Sequence, residues 1–305
     1  MPLVTTLGPL SSDELGIVLP HEHVFVDLRV PSHPRQGIAD AQEVIRLMRP
    51  ELERARQAGI GAIVEATPLG VGRRADIVLA VSRAAGFPIV VPTGVYREPW
   101  IPEWIHRATE HGVYDWLMRE FVRGIDSTGV QPGWIMLGSS DGGMTSCERR
   151  VLRAAGRAAR ETGAIVGSHT LRGEVVTEQL YELEDVGLAP ERFIWNHAQA
   201  EGDFEYHVQT ARRGAWIEYD SVGSTPEADA HILDLVLRVL SRGLESRLLL
   251  SQDRGWYDPA RPGGGTPRPY TYLVDVFLPQ LRARGVAEST IDLVTRTNPY
   301  EALAR

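Results

Sequence analysis

The sequence predicts an α/β fold, namely a (β/α)8 TIM barrel with a C-terminal extra helix. Short runs rich in β-branched residues alternate with amphipathic stretches, a pattern typical of repeated βα units around a parallel sheet. Eight strand-like runs are each followed by a helical stretch. Most of the helical stretches end at a glycine, the residue favoured at a left-handed helix C-cap.

The strand-like runs are mostly apolar, and most carry a polar or charged residue near their C-terminal end. In chain order they are IVLPHEHVF (17–25), AIVEATP (62–68), PIVVPTGVY (88–96), WIMLGSS (134–140), AIVGSHT (164–170), RFIWNHA (192–198), AWIEYDS (215–221) and RLLLSQD (247–253). Parallel strands in a barrel place these C-terminal ends together at one face, where catalytic groups of such barrels lie.

The helical stretches show apolar residues at helical spacing between these runs. They cover 40–59, 74–86, 102–125, 145–163, 172–187, 204–214, 229–243 and 270–285, and a last helix is expected after 297–299. The main irregular segment, RGWYDPARPGGGTPRP (254–269), follows the eighth strand and is expected to overhang the barrel mouth.

Composition fits one globular barrel, so we expect residues 1–305 to form a single domain. The chain has 305 residues, 43% hydrophobic and 24% charged, and a net charge of −8, which does not favour a nucleic-acid partner. No signal peptide or membrane span is recognisable, so a cytoplasmic protein without membrane contact is expected. Cys147 is the sole cysteine, which excludes an intramolecular disulfide and a zinc cluster built of cysteines. Lysine is absent, which excludes any mechanism that needs one.

The polar residues at the strand ends predict a metal site. His21 and His23 share one face of the first strand, and Glu22 between them is expected to point away. His169, His197 and Asp253 end the fifth, sixth and eighth strands, and imidazole and carboxylate are usual ligands of Zn²⁺. Each alone could be an ordinary packed or capping residue, but the fold brings all five to one mouth.

At these residues the chain resembles the phosphotriesterase family of the amidohydrolase superfamily, which includes phosphotriesterase-like lactonases and resiniferatoxin-binding proteins. The matching stretches are GPLSSDELGIVLPHEHV, GRRADIVLAVSRAAGFPIVVPTGVY, GSHT, NH, LLLSQD and TNP, in order along nearly the whole chain. The resemblance implies two divalent ions, commonly zinc, with His21, His23 and Asp253 around the more buried ion and His169 and His197 around the other. It also implies a small-molecule substrate and a homodimer.

One departure concerns the fourth strand, where the resemblance implies a carboxylated lysine that bridges the two ions. Met136 stands at that place, and a thioether is a neutral, poor ligand for Zn²⁺. We therefore expect one tightly bound divalent ion, with zinc as the first candidate, rather than two. Glu65, Asp141 or Glu218 could serve as the substitute carboxylate.

These features predict a metal-dependent hydrolase of ester-like bonds: lactones, carboxyl esters or phosphotriesters. Asp253 is the expected general base, and Asp220 is expected at the substrate site. Three aromatic residues, Tyr96, Trp256 and Tyr257, are expected to line the substrate pocket, although packing alone could explain them.

Two alternatives remain open at this stage: a non-catalytic small-molecule-binding barrel, and a mononuclear amidohydrolase that acts on C–N bonds. A further expectation is structural, that Arg73 pairs with Glu65 near the mouth.

Overall fold

The barrel is built from parallel strands that follow a short N-terminal hairpin of β1 (Leu3–Thr5) and β2 (Gly8–Leu10). The computed structural model describes residues 1–14 and 16–305. The barrel strands are β3 (Ile17–Phe25), β4 (Ile60–Glu65), β5 (Ile89–Val90) continued by β6 (Pro92–Thr93), β7 (Trp134–Gly138), β8 (Val166–His169), β9 (Phe193–Asn196), β10 (Trp216–Tyr219) and β11 (Leu248–Leu250). Each of the eight predicted runs therefore contains a barrel strand.

The strands pair in two continuous arcs that share the interrupted third strand. One arc runs β3-β4-β5 and the other β6-β7-β8-β9-β10-β11, all in parallel. The first and last strands meet where the backbone N–H of Asp253 donates to the carbonyl of His21 at 3.1 Å. A short strand after the last barrel strand, β12 (Gly255–Tyr257), also pairs with β3. The predicted (β/α)8 architecture is confirmed.

Helices follow the strands as predicted. They are α1 (Ala41–Gln57), α2 (Ala75–Ala85), α3 (Glu103–Arg107), α4 (Glu110–Arg123), α5 (Ser146–Thr162), α6 (Gly173–Asp185), α7 (Phe204–Arg212), α8 (Pro226–Ser241), α9 (Leu278–Ala283), α10 (Glu288–Asp292) and α11 (Asn298–Leu303). A π-helical turn, Leu273–Phe277, opens α9, and another, Leu293–Thr297, joins α10 to α11. In the described part of the chain, none of the helices is both long and apolar enough to span a membrane.

The third predicted helix, 102–125, is wrong as a single element. Ala108 adopts an extended conformation, and Thr109 begins a new helix by accepting a hydrogen bond from the Gly112 N–H at 3.1 Å. Thr is a favoured N-cap residue because its hydroxyl satisfies a backbone N–H that lacks a helical partner. The break divides the predicted helix into α3 and α4.

The barrel interior is apolar at its N-terminal end and polar at its C-terminal end. Trp134, Met136 and Trp216 are buried in one apolar cluster inside the barrel. Leu3 and Leu303, from the two ends of the chain, belong to the same cluster and cover its base. The strand ends above this cluster carry the predicted site residues.

Candidate metal centre

Four histidines and Asp253 converge on one cavity at the barrel mouth, as the strand-end rule predicts. Ring centroids lie 4.9 Å apart for His21 and His197, 4.2 Å for His169 and His197, and 5.5 Å for His21 and His23. Asp253 Oδ1 lies 3.0 Å from His23 Nε2. The five residues implied as ligands are therefore neighbours.

The first strand places its two histidines inward because side chains alternate along a strand. Glu22, between them, points away from the cavity, as expected, and accepts hydrogen bonds from Ser251 Oγ at 2.8 Å and the Arg254 N–H at 2.7 Å. Burial raises the pKa of Glu22 to about 7, although these two hydrogen bonds oppose the increase. Glu22 thus ties β3 to the segment that carries Asp253.

Two of the five proposed metal ligands adopt left-handed backbone conformations. His197 has φ 61° and Asp253 has φ 51°, in a region that residues with a Cβ seldom occupy. Such conformations persist only where surrounding contacts fix them, and they concentrate at functional sites. Here each follows the end of its strand and turns the side chain over the barrel mouth.

Hydrogen bonds at Nδ1 orient three of the histidines and leave Nε2 as the ligating nitrogen. His197 Nδ1 donates to Asp220 Oδ1 at 2.7 Å, and His21 Nδ1 lies 3.3 Å from carboxylate oxygens of both Glu218 and Asp220. His23 Nδ1 is 2.7 Å from Thr67 Oγ1. A carboxylate or hydroxyl behind a histidine is the usual way to fix its tautomer for metal binding.

Thr67 was not among the sequence-derived site residues, although its position could have suggested it. Its hydroxyl donates to Glu65 and therefore accepts from His23 Nδ1. Thr67 lies two residues beyond Glu65, just past the end of β4, on the same face of an extended chain.

The charges around the histidines differ sharply from one ring to the next. Burial lowers the pKa of His21, but the carboxylates of Asp220, Glu218 and Asp253 outweigh burial and raise it to about 10. Burial lowers the pKa of His169 well below its usual value, and neighbouring His197 lowers it further. The negative charge of these carboxylates also favours a cation close to His21.

The same surroundings also shift the pKa values of the carboxylates Asp253 and Glu218. Burial raises the pKa of Asp253, yet contacts with His23, His21 and His197 outweigh it and hold the pKa far below its usual value. Asp253 is therefore ionised at neutral pH. Burial raises the pKa of Glu218, which is opposed by its contacts with His21.

The donor set fits a divalent ion. Ligand atoms of His21, His197 and Asp253 lie within 4.8 Å of one another. His169 Nε2 is buried and has no hydrogen-bond partner among the described residues, so it remains available to a ligand. Neutral imidazoles and a carboxylate are the donors that zinc and related ions prefer.

The cavity beside the centre is small and mostly apolar. Its volume is about 240 Å³. Tyr96, Trp256 and Met136 line it, together with Val26, Leu28, Ala66 and Val71. The Tyr96 ring contacts the His169 ring at 5.1 Å, and the Trp256 indole N–H donates to Asp253 Oδ1 at 3.1 Å.

Two residues expected at the substrate site lie elsewhere. Tyr257 stacks on Phe25 at 5.7 Å and turns its hydroxyl towards Glu43, because alternation along β12 points it away from Trp256. Asp220 is fully buried behind His197, where it accepts from both the backbone N–H and Nδ1 of that residue. Asp220 therefore positions His197 and does not line the cavity.

The expected pair between Arg73 and Glu65 is wrong. Arg73 forms a bidentate pair with Glu120 at 2.6 and 2.8 Å and also contacts Asp126. Glu65 instead accepts from the Val24 N–H at 2.6 Å and from Thr67. Arg73 and Glu65 therefore both form structural contacts, but each has partners other than the one expected.

Comparison with known proteins identifies the family. The profile described as PTE: Phosphotriesterase family matches residues 1–303. The chain belongs to the phosphotriesterase family. The resemblance seen in the sequence is thereby confirmed, and with it the prediction of a metal-dependent hydrolase that acts on ester or phosphotriester bonds. The non-catalytic alternative is not favoured.

Similar proteins in this family cover the chain almost completely. A phosphotriesterase homology protein from Escherichia coli K12 is 28% identical over 96% of this chain and 99% of its own length. An aryldialkylphosphatase from Saccharolobus solfataricus is 25% identical over 95% of both chains. A mutant PTE-like lactonase from Deinococcus radiodurans superposes with a TM-score of 0.88 at 30% identity, covering 98% of this chain and 99% of that chain.

Proposed function

We propose that this protein hydrolyses small, neutral carboxyl esters or lactones at a divalent metal centre held by His21, His23, His169, His197 and Asp253. The observation that carries the proposal is the convergence of these five side chains on one apolar cavity. Similarity to a PTE-like lactonase supports the substrate class.

The cavity supports a neutral and small substrate. Apart from the five proposed ligands, its described lining residues are apolar or aromatic, so no cationic side chain is available there to bind an anionic group. Its volume of about 240 Å³ lies below the ~300–1,000 Å³ of pockets for drug-sized ligands. A lactone or short ester therefore fits better than a phosphotriester with bulky aryl groups.

The metal supplies the electrophilic part of the chemistry. When bound, a divalent ion lowers the pKa of water at the centre and polarises a C=O or P=O bond. We propose that one ion is tightly held and that zinc is the first candidate, because Met136 contributes no anionic ligand from the fourth strand. Two metal equivalents retained after dialysis against a mild chelator would contradict this count.

The protein side chains hold the substrate and move the proton. Asp253, ionised at neutral pH, accepts the proton of the attacking water and returns it to the leaving alkoxide. Its Oδ1 already contacts His23 and Trp256, so we assign proton transfer to Oδ2. Tyr96 and Trp256 hold the apolar part of the substrate beside the centre and restrict the access of bulk water.

A substrate panel tests the proposal. Zinc-loaded protein is assayed against lactones, aryl esters, phosphotriesters and amides, with chelator-treated protein as the matched control. We expect turnover of lactones or short esters that disappears on chelation. Two results would overturn the proposed function: turnover of amides alone, or no turnover of any substrate class by protein that demonstrably binds metal.

A further inference from the structure

A second group of metal-ligating side chains lies outside the cavity at the barrel mouth. Glu98 follows β6, His106 lies on α3, and Cys147 lies in the first turn of α5. One ligand atom from each of the three, a carboxylate oxygen, an imidazole nitrogen and Sγ, lies within 4.8 Å of the other two. We call these three residues the Cys147 cluster. In the described part of the chain, the barrel-mouth cavity is lined by other residues.

Two donors of the Cys147 cluster are open to solvent and little engaged. Glu98 Oε2 lies 3.5 Å from His106 Nε2, and within residues 1–14 and 16–305 neither side chain has another hydrogen-bond or ion-pair partner. The side chains are 28% exposed at Glu98 and 41% exposed at His106, so an ion can reach both from water. Cys147, in contrast, is buried. The cluster thus combines two accessible donors with one sulfur that is shielded from solvent.

Contacts elsewhere in these residues hold the three donors together. The Glu98 N–H donates to Glu148 Oε1 on α5 at 3.1 Å. The Arg150 guanidinium, also on α5, donates to the His106 carbonyl at 3.0 Å and to Cys147 Sγ at 3.4 Å. These bonds leave the carboxylate of Glu98 and the imidazole of His106 free. Donors that are already positioned lose less conformational freedom when they bind an ion.

The chemistry of the Cys147 cluster suits a thiophilic divalent ion. Thiolate, imidazole and carboxylate are all ligands of Zn²⁺, and three protein ligands leave a fourth position for water. A thiolate and a carboxylate together balance the charge of one dication. Burial raises the pKa of the Cys147 thiol, although Arg150 opposes the increase, so an ion that binds here displaces the thiol proton into solvent.

We propose that Glu98, His106 and Cys147 form a second metal site, for Zn²⁺ or a similar thiophilic ion. The site is independent of the proposed function, because it shares no ligand with the barrel-mouth centre. An ion there joins α3 to α5 and fixes the segment that carries Tyr96, two residues before Glu98. With three ligands and an exposed histidine, the site loses its ion to a mild chelator, so the count of one retained ion at the barrel mouth is unaffected.

Titration of the full chain with Co²⁺ tests this site directly. A thiolate bound to Co²⁺ gives an intense charge-transfer band in the near ultraviolet. Histidine and aspartate ligands give no such band, and neither does the thioether of Met136 beside the barrel-mouth centre. Because Cys147 is the sole cysteine of the chain, the band reports this site alone. Added Zn²⁺ should displace Co²⁺ and abolish the band.

Four variants separate the site from nonspecific binding. Cys147→Ser should remove the band while the circular dichroism spectrum and zinc-dependent ester turnover stay unchanged. His106→Ala and Glu98→Gln should each weaken the Co²⁺ affinity read from the band at least about tenfold, the lower end of the effect of losing an outer-shell partner. His111→Ala is the matched control, because His111 is an exposed histidine on α4 that pairs with Asp115, and it should leave the band unchanged.

The wild-type protein alone can overturn the inference. Absence of the band in folded, reduced wild type that binds Co²⁺ would show that Cys147 is not a ligand. A band whose Co²⁺ affinity is the same in wild type, His106→Ala and Glu98→Gln would also overturn it, since the thiolate would then bind without the other two donors. Neither result bears on the proposed function, which fails only in the substrate panel.

Discussion

Acid should destabilise this protein through His207, a buried histidine outside the metal centre. Its ring lies on α7 against Trp195 and Phe204, without solvent exposure. Nδ1 accepts from the Tyr219 hydroxyl at 2.7 Å, and Nε2 faces the Glu201 carbonyl at 3.3 Å, where its N–H donates. This neutral tautomer satisfies both partners, whereas a proton at Nδ1 removes the acceptor that Tyr219 uses.

The size and sign of the effect follow from the pKa of His207. Burial lowers that pKa from 6.5 to about 4, although hydrogen bonding to the Glu201 carbonyl opposes the decrease. At ~1.36 kcal/mol per pH unit, the difference amounts to about 3 kcal/mol. The unfolded chain binds the proton first, so the stability contribution is complete above about pH 6.5 and is lost as the pH falls to about 4. Total stabilities of ~5–15 kcal/mol make such a loss measurable.

Urea unfolding of metal-free protein between pH 7.5 and 4 checks this prediction. His207→Asn is the comparison, because the Asn side-chain oxygen can accept from Tyr219 but does not titrate. The variant should be less stable at pH 7.5, and the difference in unfolding free energy from wild type should shrink by about 3 kcal/mol at pH 4. A difference that stays constant with pH would refute the reasoning.

Three further predictions concern the site. Asp253→Asn should lower kcat by about 10²–10⁴-fold, the usual contribution of a general base, with an unchanged circular dichroism spectrum; activity within tenfold of wild type would count against the assigned role. Asp220→Asn should weaken metal affinity about 10- to 100-fold by leaving His197 without its anionic partner, and unchanged binding in a chelator competition would contradict this. Trp256→Ala should raise KM for lactones more than it lowers kcat, because it removes an apolar wall of the cavity; steady-state kinetics that show a change in kcat alone would disagree.

Most of the barrel could be predicted from the sequence because the signals were local. An apolar run that ends in His169 or Asp253 reveals both a strand and the face on which its polar residue lies. The N-terminal hairpin was missed because its two strands have three residues each, too few for a periodicity to appear. The break at Ala108–Thr109 was missed because residues on both sides of it favour helix.

The site was less predictable where it depends on which partner a side chain meets. Arg73 could pair with any nearby acid, and only the packing of α4 brings Glu120 to it. Glu218 is one of the three carboxylates expected as candidate substitute ligands, and only the structure shows that it contacts His21 at Nδ1. Tyr257 follows Trp256 directly, so one of the two had to point away, but the register of β12 decides which.

The left-handed backbone at His197 and Asp253 means that changes which raise thermal stability can lower metal binding. Each conformation costs about 1–3 kcal/mol, and glycine would adopt either one without strain. A laboratory selection for heat resistance that ignores metal content would therefore favour glycine at Asp253 more than at His197, whose loss also leaves the buried Asp220 carboxylate without its imidazole partner. Variants enriched in this way would survive heating with fewer metal ligands, so directed evolution of this scaffold has to screen for bound metal and for melting temperature together.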